Sequence, residues 1–197
     1  MTDRIEFWFE FASAYSYIAV EEIEAKAAKA GVAVVWRPFL LGPIFARQGW
    51  TGSPFNIYPA KGAYMWRDME RLCAQKGLAW RKPSQFPRNG LLAARVATVL
   101  AESDAIGSFV KGVYRANFVE DRDISDPKVI GDVLRGVGLA PEETLIRATG
   151  DDIKARLRER TDEALARGVF GAPSFFVRGE LFWGGDRLDQ AVALANS

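Results

Sequence analysis

The chain has 197 residues, 49% of them apolar and 26% charged, enough to bury one sizeable core and unlike the composition of a disordered segment. Its 26 Lys and Arg against 25 Asp and Glu leave no overall field to hold a polyanion, which argues against nucleic acid as a partner. One cysteine, Cys73, and no histidine exclude an internal disulfide, a Cys-x-x-Cys redox pair, a multi-cysteine zinc site and any Ser-His-Asp or Cys-His activation of a nucleophile.

Ile5, Phe7, Phe9 and Phe11 alternate with Arg4, Glu6, Trp8 and Glu10, a period of two that predicts a strand. No basic region followed by a long apolar run precedes it, and nowhere do 18 apolar residues run uninterrupted. The expectation is therefore a cytoplasmic protein without a membrane span. Apolar residues at helical spacing predict a helix over about 16–30, with Gly31 as its C-terminal cap, and 32–41 reads as a second strand that Pro38 ends or puts at an edge.

Residues 42–60 carry too many Gly and Pro for a long regular element, but they also carry Phe45, Trp50, Phe55 and Tyr58, so this stretch is a candidate ligand wall. Helix formers then dominate, predicting helices over roughly 60–76, 89–103, 105–119, 126–137, 141–149 and 151–167. Cys73 falls in the first of these and reads as a small core filler. Two short apolar runs, 173–177 and 180–183, flank Arg178-Gly179 as a hairpin would, and a last helix follows over about 186–195. The order is strand-helix-strand, helices, strand-strand-helix, an α/β chain whose helical block is inserted into a sheet domain.

Two segments carry chemistry. In Phe9-Glu10-Phe11-Ala12-Ser13-Ala14-Tyr15-Ser16-Tyr17, two serines sit three apart where the first strand turns into the first helix. From spacing alone, a serine there reads as a helix cap; the same position also lies at the positive end of the helix dipole, where a thiolate would be stabilised. In Val169-Phe170-Gly171-Ala172-Pro173-Ser174-Phe175-Phe176 a proline opens a strand after a long helix, and by itself Pro173 reads as no more than that. Glu10, on a strand expected to be central, is a candidate for a partly buried, proton-bearing group, although a salt bridge to a neighbouring Arg is the commoner fate of such a side chain.

Taken together, the Ser-x-x-Ser turn near the start and the V-F-G-x-P segment near the end resemble the DsbA-like branch of the thioredoxin superfamily. Within that branch F-E-F-A-S-A-Y-S-Y-I-A, P-A-K-G-A-Y-M at 59–65, and V-F-G-A-P-S-F-F-V through F-W-G-G-D-R-L at 182–188 look like the 2-hydroxychromene-2-carboxylate isomerases and their kappa-class glutathione transferase relatives. Ala14 departs from the family, which commonly has proline directly after its serine. The resemblance covers essentially the whole chain. It implies a thioredoxin-like domain from 1–60 and 168–197, with 151–167 as its returning helix and 61–150 as an inserted helical domain.

It also implies a site. Ser13 would take the place of the catalytic serine and donate a hydrogen bond to the sulfur of glutathione as cofactor, Ala172 would offer its backbone to the cysteinyl part, and Pro173 would fix that geometry. Asn56 would be a further glutathione contact, Lys61 would pair with the glycyl carboxylate, and Asp186 would take the γ-glutamyl ammonium. On spacing alone, Lys61 reads as a solvated charge and Asp186 as a cap. Phe45, Trp50, Tyr64, Trp66, Phe86 and Trp183 would line a pocket for a small aromatic substrate, most of them being equally at home in a core.

The implied chemistry is isomerisation: the thiolate adds to a conjugated carbon, the former double bond rotates, and elimination returns the thiol. Conjugation of glutathione to an electrophile uses the same thiolate, and a non-catalytic thiol- or peptide-binding module is a reading of another class. Dithiol exchange is excluded, since Ser13 and Ser16 stand where two cysteines would be needed. Relatives of this kind are often dimers, and the helical block offers surface for a homodimer.

Overall fold

The computed structural model describes residues 4–197. The described part begins with strand β1 (Arg4–Phe9), helix α1 (Ala14–Lys29) and strand β2 (Ala33–Pro38). Helices α2 (Leu41–Arg47), α3 (Pro54–Ile57), α4 (Pro59–Lys76), α5 (Leu91–Val99), α6 (Ile106–Phe118), α7 (Pro127–Gly136), α8 (Pro141–Ala148) and α9 (Asp151–Ala166) follow. Strands β3 (Ser174–Val177) and β4 (Glu180–Trp183), a single 3-10 turn (Gly185–Arg187) and α10 (Leu188–Ala195) close the chain. Residues 1–3, with which the expected first domain opens, lie outside the described part.

The four strands lie in the order β2-β1-β3-β4, with β1 parallel to β2 and antiparallel to β3. A helix must carry the chain back between two parallel neighbours, and α1 does so. The β3–β4 hairpin turns through Arg178 and Gly179, both at positive φ, 50° and 85°, as a two-residue turn matched to strand twist requires. After α1, Gly31 takes the left-handed conformation at φ 68° that ends a helix, one residue past its cap at Ala30.

Three expectations need correction. The first strand ends at Phe9, not Phe11, because the chain turns at Glu10 to start α1 two residues earlier than its apolar spacing indicated. The stretch 42–60 is not open loop: α2 and α3 lie within and beside it, with Pro43 and Pro54 in the first helical turns, where a missing N–H removes no hydrogen bond. Trp8, which alternates with the apolar set, is fully buried, because β1 is covered on both faces.

Ile5, Phe7 and Phe9 pack with α1, α6 and α10 in the main core, where the Phe7 ring stands 5.2 Å from Phe175, 5.4 Å from Phe9 and 5.4 Å from Trp36. Trp8 joins Phe39, Ile44, Ala164, Val169 and Phe176 in a second core under α2 and α9. Arg167 closes this second core, its guanidinium 5.5 Å from the Trp8 ring and 2.6 Å from Glu6, so the long charged side chain covers apolar surface while pairing at its tip. Helices α4 to α8 fall between β2 and α9 in sequence, and α6 packs directly on α1. Cys73 is buried in this block, and burial pushes its thiol up to about 11, in keeping with a core filler.

Candidate active site

The strand-to-helix turn after β1 and the start of β3 meet because β1 and β3 are neighbours in the sheet, with Trp8 opposite Ser174. At their junction the Ser13 hydroxyl donates to the Ala172 carbonyl at 3.0 Å and accepts from the Ser16 N–H at 3.3 Å. Ser13 is therefore the cap of α1, as its spacing suggested, and also a tie between two segments 159 residues apart. The Ala172–Pro173 bond is cis, as is Phe86–Pro87. The Ser13 Oγ is thus a half-buried hydroxyl at the positive end of a helix, beside a backbone carbonyl.

The turn itself is held from the helical block. The Glu10 carbonyl accepts the Ser13 N–H at 2.9 Å and the Tyr114 hydroxyl at 2.7 Å, and the Asn117 side-chain amide donates to the Phe11 carbonyl at 3.0 Å. Asn117 in turn accepts from Arg88 at 3.0 Å through both its carbonyl and its side-chain oxygen, and Arg88 also pairs with Asp121. The Ser84 N–H and then Arg88 hold the Asp121 carboxyl down at about 2. Tyr114, Asn117 and Arg88 are buried polar groups on which the position of Ser13 depends. Residue spacing carries no signal for them, since Tyr114 and Asn117 reach the turn from 104 and 106 residues away and Arg88 acts through Asn117.

Glu10 forms no salt bridge among the described residues, contrary to the commoner fate of such a side chain. It is buried, and its carboxylate accepts the Ala12 N–H at 3.0 Å. Burial pushes the carboxyl up from its ordinary 4.5 to about 7, the N–H groups of Ala12 and Ser13 offsetting part of the effect. The folded chain then binds more protons than the unfolded chain between those values. The stability that Glu10 contributes is complete below about pH 4.5 and is lost as pH rises through 7, a change of about 3 kcal/mol. In urea unfolding at pH 4 and pH 8, Glu10→Gln is expected to gain about 3 kcal/mol on the wild type between the two conditions. An unchanged gap would mean that the carboxyl titrates in the folded protein as it does in the unfolded chain, near 4.5.

The remaining expected site residues fall into separate groups. Trp183 is half exposed and lies over the start of β3: its indole Nε1 is 2.5 Å from where a Cβ on Gly171 would stand, so only glycine allows this approach, and its ring is 4.7 Å from exposed Phe170. Trp66 and Phe86 pack edge to face at 4.8 Å, and Asn56 donates to the Phe86 carbonyl at 3.2 Å. Lys61 is exposed, with its ammonium 4.9 Å from the Tyr58 ring. Asp186 is exposed and pairs with the adjacent Arg187 at 3.2 Å.

Phe45 and Trp50 pack on each other with tilted rings at 5.5 Å, but no ring contact joins them to Trp66, Phe86 or Trp183 among the described residues. Tyr64 is exposed and makes no ring contact there either. Spacing gave no hint of Tyr15, half-buried beside Ser13, which donates to Asp68 at 3.0 Å and faces Phe55 at 6.2 Å. The nearby Gly62 lets α4 close onto α3, where a Cβ would meet the Phe55 carbonyl at 2.2 Å. A cleft of about 320 Å³ lined by Tyr17, Glu21, Lys111 and Arg115 lies elsewhere and does not include Ser13.

A family model described as a DSBA-like thioredoxin domain matches residues 4–194. The chain belongs to the DSBA-like thioredoxin family. Within that family, it is 28% identical over 189 residues to a 2-hydroxychromene-2-carboxylate isomerase of Sphingobium xenophagum, covering 96% of each chain. It is 24% identical to glutathione S-transferase kappa 2 of Caenorhabditis elegans, covering 95% of this chain and 89% of that one. The solved structure of a 2-hydroxychromene-2-carboxylate isomerase superposes with a TM-score of 0.86 at 22% identity, over 96% of this chain and 93% of the other, and shares the fold. This DSBA-like chain is thus isomerase-like, an enzyme by kinship, with serine at the turn where a dithiol would be needed for redox work.

Proposed function

We propose that this DSBA-like protein is a cytoplasmic, glutathione-dependent cis-trans isomerase of aromatic catabolism, acting on a substrate of the hydroxychromene-carboxylate type. The observation that carries the proposal is the Ser13 hydroxyl at the start of α1, 3.0 Å from the Ala172 carbonyl. A hydroxyl hydrogen bond and a helix N-terminus together favour a sulfur anion, and neither can form a mixed disulfide with it.

The donor set suits glutathione. Lys61 offers an exposed ammonium, and Asp186 an exposed carboxylate, to the two charged ends of the tripeptide. Trp183 over Gly171 gives an apolar wall next to Ala172. Bound glutathione would supply a thiolate able to add to a conjugated carbon and leave again once the bond has turned. Ser13 would swing its proton from the Ala172 carbonyl to the sulfur, and Ala172 would hold the peptide backbone beside Pro173. Asn56 would bind a further part of the cofactor, and Trp66 and Phe86 would form the apolar surface against which an aromatic substrate lies.

Kinship with kappa transferases at 24% identity supports a second reading, release of the adduct in place of elimination. Incubation with a hydroxychromene carboxylate and glutathione, followed by chromatography, separates the two. The isomer with glutathione unconsumed supports isomerisation, and a thioether product supports transfer. No change in the substrate, with or without glutathione, would overturn both.

A further inference from the structure

Glu10 is a buried acid that the proposed mechanism does not use. It lies three residues before Ser13, and its main chain and side chain both serve the turn: its carbonyl takes the Ser13 N–H at 2.9 Å, and its carboxylate takes the Ala12 N–H at 3.0 Å. The other carboxylate oxygen faces Gly90, where a Cβ would stand 3.3 Å away, so the segment after Pro87 closes over it. Tyr114 on α6 faces Glu10, and its phenol is pushed well above its ordinary value, first by burial and then by the Glu10 charge. Ser13, the cap of α1, and Ser16 within it are uncharged. Arg88, a cation in the covering segment, is committed to Asn117 and Asp121. An ionised Glu10 would thus place a second, uncompensated negative charge at the same helix end as a thiolate.

We propose that Glu10 is a positioning residue for charge: its carboxyl and a thiolate at Ser13 share one negative charge, and Glu10 keeps its proton while the sulfur is ionised. The proposal rests on reading the Ser13 turn as a thiolate site. The sulfur proton leaves to solvent and Glu10 neither gains nor loses one, so thiolate formation adds a single charge to the buried turn. Two acids coupled in this way titrate as a pair.

The test needs no glutathione, so its failure is separable from failure of the cofactor. In Ser13→Cys the protein supplies the thiol, whose ionisation is followed by thiolate absorbance, while the carbonyl stretch of a protonated carboxyl is followed by infrared titration in this variant and in the unaltered chain. Glu10→Gln assigns the band by removing it, and Glu10→Asp assigns it by moving it should the Gln variant fail to fold. The expected result is that the band persists as the thiol ionises, and that the ionisation constant of the carboxyl in Ser13→Cys falls about tenfold or more below that in the unaltered chain. The same carboxyl midpoint in both chains, or a band lost before the thiol ionises, would overturn the proposal.

Discussion

Ser13→Ala is expected to lower glutathione-dependent isomerisation about 100-fold in kcat/KM, the scale on which one preorganised hydrogen-bond donor to a developing anion acts. The alanine keeps α1 and loses the side-chain atom that bridges the Ser16 N–H and the Ala172 carbonyl. Losing the cap costs about 1 kcal/mol of stability, so a folded variant is available for assay. Steady-state rates at saturating and limiting glutathione separate the two possible sites of the loss. If Ser13 stabilises the sulfur anion, the loss persists at saturation; a loss confined to limiting glutathione would reduce Ser13 to a binding contact. Rates within about twofold of wild type would leave Ser13 a cap alone.

Phe7→Ala is expected to destabilise the protein by about 3 to 5 kcal/mol, read as a lowered midpoint in urea with an unchanged slope. Phe7 is fully buried on the central strand, and its ring touches Phe9, Trp36 and Phe175, so its removal leaves a void bounded by β1, β2 and β3 at once. No flexible loop lies within that set to collapse into the space. The second core under α2 and α9 is built on the other face of β1, so Trp8 and Phe176 cannot move in to compensate. A loss under about 1 kcal/mol would show that the central strand is not the principal stabilising element of the sheet.

Much of the fold was legible because its signals are local. The period of two in Ile5, Phe7 and Phe9, the Arg178-Gly179 turn and the Gly31 stop each act within a few residues, and each appears where its chemistry put it. The errors have physical causes of longer range. Trp8 looked like a member of the alternate set because nothing near it in sequence says that α9 will cover the second face of the sheet. α2 and α3 were hidden by prolines that break a helix interior but open a first turn without cost.

At the site, the Ser13 cap could be read from spacing, whereas its bond to Ala172 depends on β3 pairing with β1. Tyr114 and Asn117 brace the turn through hydrogen bonds to the Glu10 and Phe11 carbonyls, and Arg88 holds Asn117 through two more, long-range contacts that no periodicity encodes. Phe45 and Trp50 were expected in the pocket for their type alone, and the structure pairs them with each other.

The role proposed for the Ser13 turn is to ionise a bound thiol. Calorimetric titration with glutathione, paired with ultraviolet titration of the bound thiolate, tests it most directly. The expected result is micromolar to millimolar binding, a thiolate band already present near neutral pH, and a band that Ser13→Ala weakens. Absence of binding, or a bound thiol that ionises as it does free in water, would contradict it and leave a thioredoxin-like binding module as the better description.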